Sequence, residues 1–222
     1  EGKPYKASGG EMVWNEELKR EVPRGWEVGC VGDIANMRSG FAFNSNWWQD
    51  DGVPVLKIGN IQEDFSINFN GCSFVSADKI ELAKEFIASP GDLIIAMTGA
   101  TIGKFGIIPD IDGPILINQR VGLFDLGNEP VKQLPFLLNT LKQPYYRAMI
   151  NFIASGCAQP NISASDINSL KAILPQKEFI DLYNSTVWRN YNMLILNQKQ
   201  NQELTRLRDF LLPLLMNGEV TN

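Results

Sequence analysis

The chain of 222 residues carries 20 Lys and Arg against 25 Asp and Glu, a formal charge of −5, with 44% hydrophobic and 10% aromatic residues. That is enough apolar material to bury a substantial core, and its acidic balance excludes a uniform basic coat for nucleic acid. The sequence contains 0 histidines, which excludes Ser-His-Asp and Cys-His nucleophilic sites, His-ligated zinc and a histidine pH switch.

Cys30, Cys72 and Cys157 are widely spaced, with no CxxC pair, so neither a disulfide framework nor a metal knuckle is indicated and a reducing, cytoplasmic setting is expected. No apolar run is long enough to suggest a membrane span. Residues 1–24 are polar and mixed in charge and read as an N-terminal spacer or arm; Glu1 in place of Met suggests a chain cut from a longer one.

From Gly25 to Gln176 short apolar runs recur between Gly, Pro, Asn and Asp: Val53 to Ile58, Phe65 to Phe69, Asp92 to Met97, Gly106 to Ile108, Ile115 to Ile117 and Val121 to Phe124. Their length and punctuation predict short strands. Helical spacing is expected near Ala77 to Phe86, and near Pro135 to Ile153 where Leu137, Leu138, Leu141, Tyr145, Met149 and Phe152 recur on one face. After Pro175 the texture changes: 178–217 contains no Gly and a single Pro at 213, which predicts one helix roughly 50 to 60 Å long at 1.5 Å per residue. Leu204, Leu207, Leu211 and Leu214 form an apolar seam, continued more loosely upstream by Tyr183, Val187 and Leu194. So long a stripe asks for a partner helix, unless the polar stretch at 197–202 folds the helix back as a hairpin. The expected fold class is therefore α+β: a strand-rich, irregular globular domain with a few helices over 25–176, then one long coiled-coil-type helix over 177–218.

Tests for catalysis fail. Gly99-Ala-Thr-Ile-Gly103-Lys104 has three residues between its glycines and Phe105 after the lysine, whereas a Walker A loop needs four and then Ser or Thr. Gln143-Pro-Tyr-Tyr146 lacks the second Pro of an adenine-methyltransferase motif, and Pro109-Asp110 lacks the acidic-x-Lys triplet of a metal-dependent nuclease. What stands out is polar side chains set in Gly-rich turns, at 97–104, 118–120 and 155–163. There backbone amides and short side chains can approach a ligand; Asn and Gln suit adenine, Arg suits guanine, and Thr and Lys suit phosphate. The competing explanation is that such residues satisfy their own backbone as turns and caps.

In order along the chain, Gly25-Trp-Glu-Val28, Val31-Gly-Asp-Ile34, Gly52-Val-Pro-Val-Leu-Lys-Ile-Gly-Asn-Ile61, Gly91-Asp-Leu-Ile-Ile95, Thr98-Gly99, Ile102-Gly-Lys104, Asn118-Gln-Arg120, Gly156-Cys-Ala-Gln-Pro-Asn-Ile-Ser163 and the segment 204–218 resemble the DNA specificity subunit of Type I restriction-modification enzymes. The resemblance covers nearly the whole chain, as one target-recognition domain and one conserved long helix. It implies a non-catalytic subunit that reads one half of a bipartite site in double-stranded DNA, with Lys57, Thr98, Thr101, Lys104, Asn118, Gln119, Arg120 and Gln159 facing the duplex.

It further implies that the helix residues Tyr183, Val187, Leu194, Leu204, Leu207, Leu211 and Leu214 serve pairing or subunit docking. The helix would pair with that of a second specificity half or of an identical chain, fixing the distance between half-sites. Partners would be the methyltransferase (modification) subunits and the restriction subunit, which would bind S-adenosylmethionine, ATP and Mg; the chain itself would hold no cofactor or metal. Since a full subunit has two such units, the chain resembles a carboxy-terminal half or a self-pairing half-subunit. The alternative is a coiled-coil homodimeric protein-interaction module without DNA specificity. With 6 acidic and 2 basic residues in 61–92, that segment is expected to hold the acidic surplus away from the Gly-rich turns.

Overall fold

The computed structural model describes residues 9–155 and 160–218. Its first element is a hairpin, β1 (Met12–Asn15) against β2 (Arg20–Pro23), where the sequence suggested a polar arm. Leu18 and Val22 are buried there and Glu17 pairs with Lys171 at 3.3 Å, so the hairpin lies against the body.

The centre is built from two four-stranded sheets. One is ordered β4 (Met37–Ser39), β11 (Val121–Phe124), β8 (Leu93–Ala96), β9 (Phe105–Ile107), all antiparallel. The other is ordered β6 (Ser73–Val75), β5 (Val53–Leu56), β10 (Ile115–Ile117), β7 (Ile87–Ala88), with β5 and β10 parallel. The unbroken apolar runs in β8 and β10 follow from burial on both faces. Leu93 and Ile95 pack toward the helices, while Ile94 and Ala96 pack toward Ile115 and Ile117 between the sheets. On the far side of the second sheet Leu116 and Val55 meet an aromatic cluster that includes Phe41, Phe43, Trp47 and Trp48. A third, two-stranded pairing joins β3 (Glu27–Cys30) to β12 (Lys171–Leu174) across most of the domain.

The remaining α-helices are α1 (Val31–Ile34), α2 (Pro130–Leu141), α3 (Pro144–Ser155), α4 (Ala164–Asn168) and α5 (Lys177–Met216). The single helix expected over 135–153 is thus two, because Pro144 cannot continue the ladder and instead starts α3. The helix expected at 77–86 is a pair of 3-10 segments, 77–79 and 81–86, with a kink at Ala83. Phe65 to Phe69 forms no strand; only Ile67 bridges, to Ile61.

The 40 residues of α5 run unbroken through 197–202, so there is no hairpin. The polar character of that stretch has a local reason: Lys199 pairs with Asp110 at 3.1 Å and Gln202 Nε2 donates to the Ile67 carbonyl at 3.3 Å. The upstream half docks on α2 through a polar lock. Pro135 disturbs the α2 ladder, and the following Phe136 N–H donates to Asn184 Oδ1 at 2.9 Å. Asn139 Nδ2 lies 2.9 Å from the Tyr183 hydroxyl and 2.8 Å from that of Tyr191.

Tyr183, Val187 and Leu194 therefore face their own domain, Leu194 against the core and Val187 over Leu138 and Phe65. In the single chain the upstream part of the expected pairing seam thus packs on its own domain, with Tyr183 still 39% exposed. Beyond Gln202 the helix leaves the body: Leu204 is 62% and Leu207 52% exposed, with Leu211 and Leu214 half-buried on the same helix.

Candidate nucleic-acid interface

Three chain segments are stitched into one rim. Met97 N–H donates to the Arg120 carbonyl at 3.0 Å, Ile162 N–H to the Met97 carbonyl at 3.0 Å and Gly99 N–H to the Pro160 carbonyl at 3.2 Å. Thr98 bridges Asn161, and Phe41 bridges Asn118. The turn at 118–120 is held from below, since Asn118 N–H donates to the Leu56 carbonyl and Gln119 N–H to that of Phe41. Gly40 makes this approach feasible: a Cβ there would stand 2.3 Å from the Ile117 carbonyl oxygen.

Between these segments opens a cleft of about 660 Å³ whose polar lining is Ser39, Thr98, Gln119, Arg120, Asn161 and Ser163. Gln119 and Arg120 are exposed, and no ion pair among the described residues involves Arg120. Thr98 Oγ1 and Thr101 Oγ1 are buried without a hydrogen-bond partner among the described residues, an arrangement that leaves donor capacity unspent. Amide, guanidinium and hydroxyl groups on a firm backbone frame are the groups that read base edges and phosphates.

The other expected contacts divide. Asn118 Oδ1 accepts its own turn's Arg120 N–H at 3.3 Å, a turn-stabilising role. Lys57 Nζ donates to Ser73 Oγ at 2.6 Å and sits 3.9 Å from the centroid of Trp48, so its charge is held over an aromatic face. Lys104 lies outside the cleft, on a neighbouring pocket, with Nζ 2.7 Å from Glu63 Oε1. The acidic segment thus reaches one of the expected DNA-facing cations, which corrects the expected separation of charge. Gln159 lies outside the described residues.

Ser39 and Asn161 complete the cleft; Ser39 carries no signal in the sequence that would single it out. Ser163 is chiefly a cap, its Oγ accepting Asp166 N–H at 3.1 Å, and its hydrogen bonds hold the Asp166 carboxyl below the usual range.

A larger cleft, about 1000 Å³, lies at the root of α5 and is lined by Glu27, Asp33, Asp125, Glu129 and Asp181 with Lys177 as the one cation among its lining residues. Five carboxylates repel phosphate, so it is the smaller cleft that suits nucleic acid.

The family described as Type I restriction modification DNA specificity domain matches residues 23–206. The Type I restriction enzyme MjaVIII specificity subunit of Methanocaldococcus jannaschii is 26% identical over 203 residues, covering 90% of this chain and 47% of that protein. The HindI specificity subunit of Haemophilus influenzae is 30% identical over 205 residues, covering 90% and 42%. The chain spans about half the length, or less, of these relatives. In fold it is similar to the crystal structure of the S subunit of a Type I restriction-modification system from M. genitalium, with a TM-score of 0.55 at 18% identity over 89% of this chain and 46% of that one. With the match running across both the stitched cleft and most of α5, the chain belongs to the family of Type I restriction modification DNA specificity domains.

Proposed function

We propose that the chain is the DNA-reading unit of a Type I restriction enzyme specificity subunit, taking one half of a bipartite target in double-stranded DNA. Its membership of the specificity-domain family over residues 23–206 carries this reading. The cleft around Thr98, Gln119 and Arg120 supplies a place for base edges, because the Gln119 and Arg120 side chains stand exposed on a backbone-braced rim.

In this reading 1–24 is a spacer, 25–176 the recognition domain and 177–218 the helix that sets the distance to a second recognition unit, in the same longer chain or in a copy. Leu204, Leu207, Leu211 and Leu214 meet that second helix or the modification subunit. Methyl transfer from S-adenosylmethionine and cleavage driven by ATP with Mg belong to the modification and restriction subunits, and this chain reads sequence in the cytoplasm.

The test is selection of duplexes from a randomised pool by the protein assembled with its modification subunits. The expected result is enrichment of one short half-site, with Arg120→Ala relaxing the preference at one position and costing about 1–3 kcal/mol. Recovery of an unselected pool by the wild-type assembly would overturn the reading.

A further inference from the structure

Further along the 98–104 loop from the cleft lies a pocket of about 390 Å³. Thr98 and Gly99 line the cleft; Gly103 and Lys104 line the pocket. Three cations converge there from separate elements: Lys104 from the loop, Lys142 from the end of α2 and Arg147 from the first turns of α3. Amide groups of Gln62 and Asn151 are also on the wall.

The lining contains a single carboxylate, Glu63, and its hold is one-ended. Its Oε1 is 2.7 Å from Lys104 Nζ, yet the Glu63 side chain is 78% exposed against 27% for Lys104. Such a pair is worth little against solvent, roughly 0 to 1 kcal/mol, so a competing anion displaces it at small cost.

No ion pair among the described residues involves Lys142 or Arg147. Lys142 Nζ instead stands 5.1 Å from the Phe65 ring. Phe65 holds that position at a φ of +67, left-handed for a residue with a large side chain, fixed by its carbonyl accepting Ile107 N–H at 2.9 Å. The backbone is bent where the aromatic wall of the pocket is needed, as happens at binding sites. An arginine fork, two ammonium groups and amide donors together match the oxygens of a phosphodiester.

We infer that this pocket is a second DNA contact, a seat for backbone phosphate which Glu63 fills in the unbound protein and vacates when a duplex docks. The inference rests on the DNA-reading function proposed above and adds a site to it. Six chain steps separate Thr98 from Lys104, at most about 20 Å, which is about six base pairs of duplex at ~3.4 Å each. A duplex read in the cleft is therefore long enough for its own backbone to reach the pocket within the same half-site.

The test measures duplex affinity against salt for the assembled protein, on the selected target and on an unrelated duplex. A Lys142→Ala/Arg147→Ala double variant is expected to weaken both duplexes by the same factor and to flatten the slope of log affinity against log salt by about 2, leaving the preferred sequence unchanged. Glu63→Gln is expected to do the reverse, tightening both duplexes and steepening the slope by about 1 as Lys104 is released.

If wild type selects its target and neither variant moves the slope, the pocket is no phosphate seat, while the DNA-reading function stands. Wild-type slope in the double variant combined with lost assembly of the modification subunits assigns the pocket to an acidic protein segment and overturns the inference. If wild type binds no duplex, both fall.

Discussion

Asn184→Ala tests how the long helix is anchored. Asn184 is 4% exposed, its Oδ1 accepts Phe136 N–H at 2.9 Å and its Nδ2 donates to Gln133 Oε1 at 3.3 Å. The first bond stabilises a backbone group beside Pro135, where the α2 ladder is already disturbed. Removing the side chain deletes both bonds and leaves a polar backbone group facing a void. The shorter bond is worth about 1 kcal/mol net and the longer one less, while a buried donor deprived of its partner costs about 1–3 kcal/mol. A loss of about 2 kcal/mol follows, which for a chain of this size lowers the melting midpoint by roughly 4 to 8 °C. Denaturant unfolding reads the free energy, and hydrogen exchange at the Phe136 amide reads the place. The expected outcome is a lower midpoint with an unchanged denaturant slope, together with faster exchange at Phe136 than in Asn190→Ala, a change at an exposed neighbour on the same helix. A loss below about 0.5 kcal/mol, within the range of ordinary surface changes, or unaltered protection at Phe136, would refute the anchoring role.

Gly40→Ala places a Cβ 2.3 Å from the Ile117 carbonyl oxygen and 2.4 Å from that of Asn118; both are backbone atoms that cannot step aside, so a loss of more than about 3 kcal/mol is expected in unfolding measurements, along with DNA binding, since the turn at 118–120 is displaced. Asp92 is 8% exposed and its carboxyl is pushed up to about 6 from 3.8 by burial, helped by the Asp125 charge and opposed by the Ser89 N–H and Arg38. Because the folded form holds this proton more tightly than the unfolded chain, its contribution is full at pH values below about 4 and is lost as pH rises through about 6. Asp92→Asn, which can still accept from Ser89 N–H, should therefore remove a stability loss of at most about 3 kcal/mol between those limits; an unchanged pH profile would contradict it. Leu204→Asp with Leu207→Asp should leave the unfolding free energy within about 0.5 kcal/mol of wild type, because both side chains lie beyond the last contact of α5 with the body, while sedimentation shows the loss of association with a second specificity helix.

The parts of the fold that were legible are those whose apolar residues run unbroken: β5, β8, β9, β10 and β11 are found because burial on both faces leaves no polar alternation to confuse them. Strands β3 and β4, of the same length, escape because Glu27 and Arg38 sit at exposed positions and interrupt their apolar runs. On α5 the spacing of Tyr183, Val187 and Leu194 marked an apolar face but could not foretell its contacts with the chain's own domain, for a stripe facing α2 and a stripe facing another helix obey the same 3.6-residue period. In the candidate interface, Thr98, Gln119 and Arg120 share one cleft because Gly-rich turns were read as approach points. The fates of Lys57 over Trp48 and Lys104 beside Glu63 depend on neighbours 9 to 41 residues away, and a cation's counter-group across such a distance has no sequence signature.

A net charge of −5 is compatible with the proposed DNA binding through where the carboxylates sit, and only partly through keeping them apart. Glu27, Asp33, Asp125, Glu129 and Asp181 gather at the root of α5, in a different cleft from the one with Arg120. That arrangement orients the molecule, because an approaching duplex is repelled at one cleft and tolerated at the other. Glu63 does the opposite, lying directly on Lys104. A carboxylate there lowers non-specific attraction to any duplex by about one phosphate contact, while base-edge discrimination by Gln119 and Arg120 is untouched. For a protein that, as proposed, must find one half-site among a great excess of other sequences, weakening the sequence-independent part of affinity shortens its stay on the wrong ones while the ratio of specific to non-specific affinity is kept. Glu63→Gln should accordingly tighten binding to target and unrelated duplex by the same factor and leave the selectivity ratio unchanged.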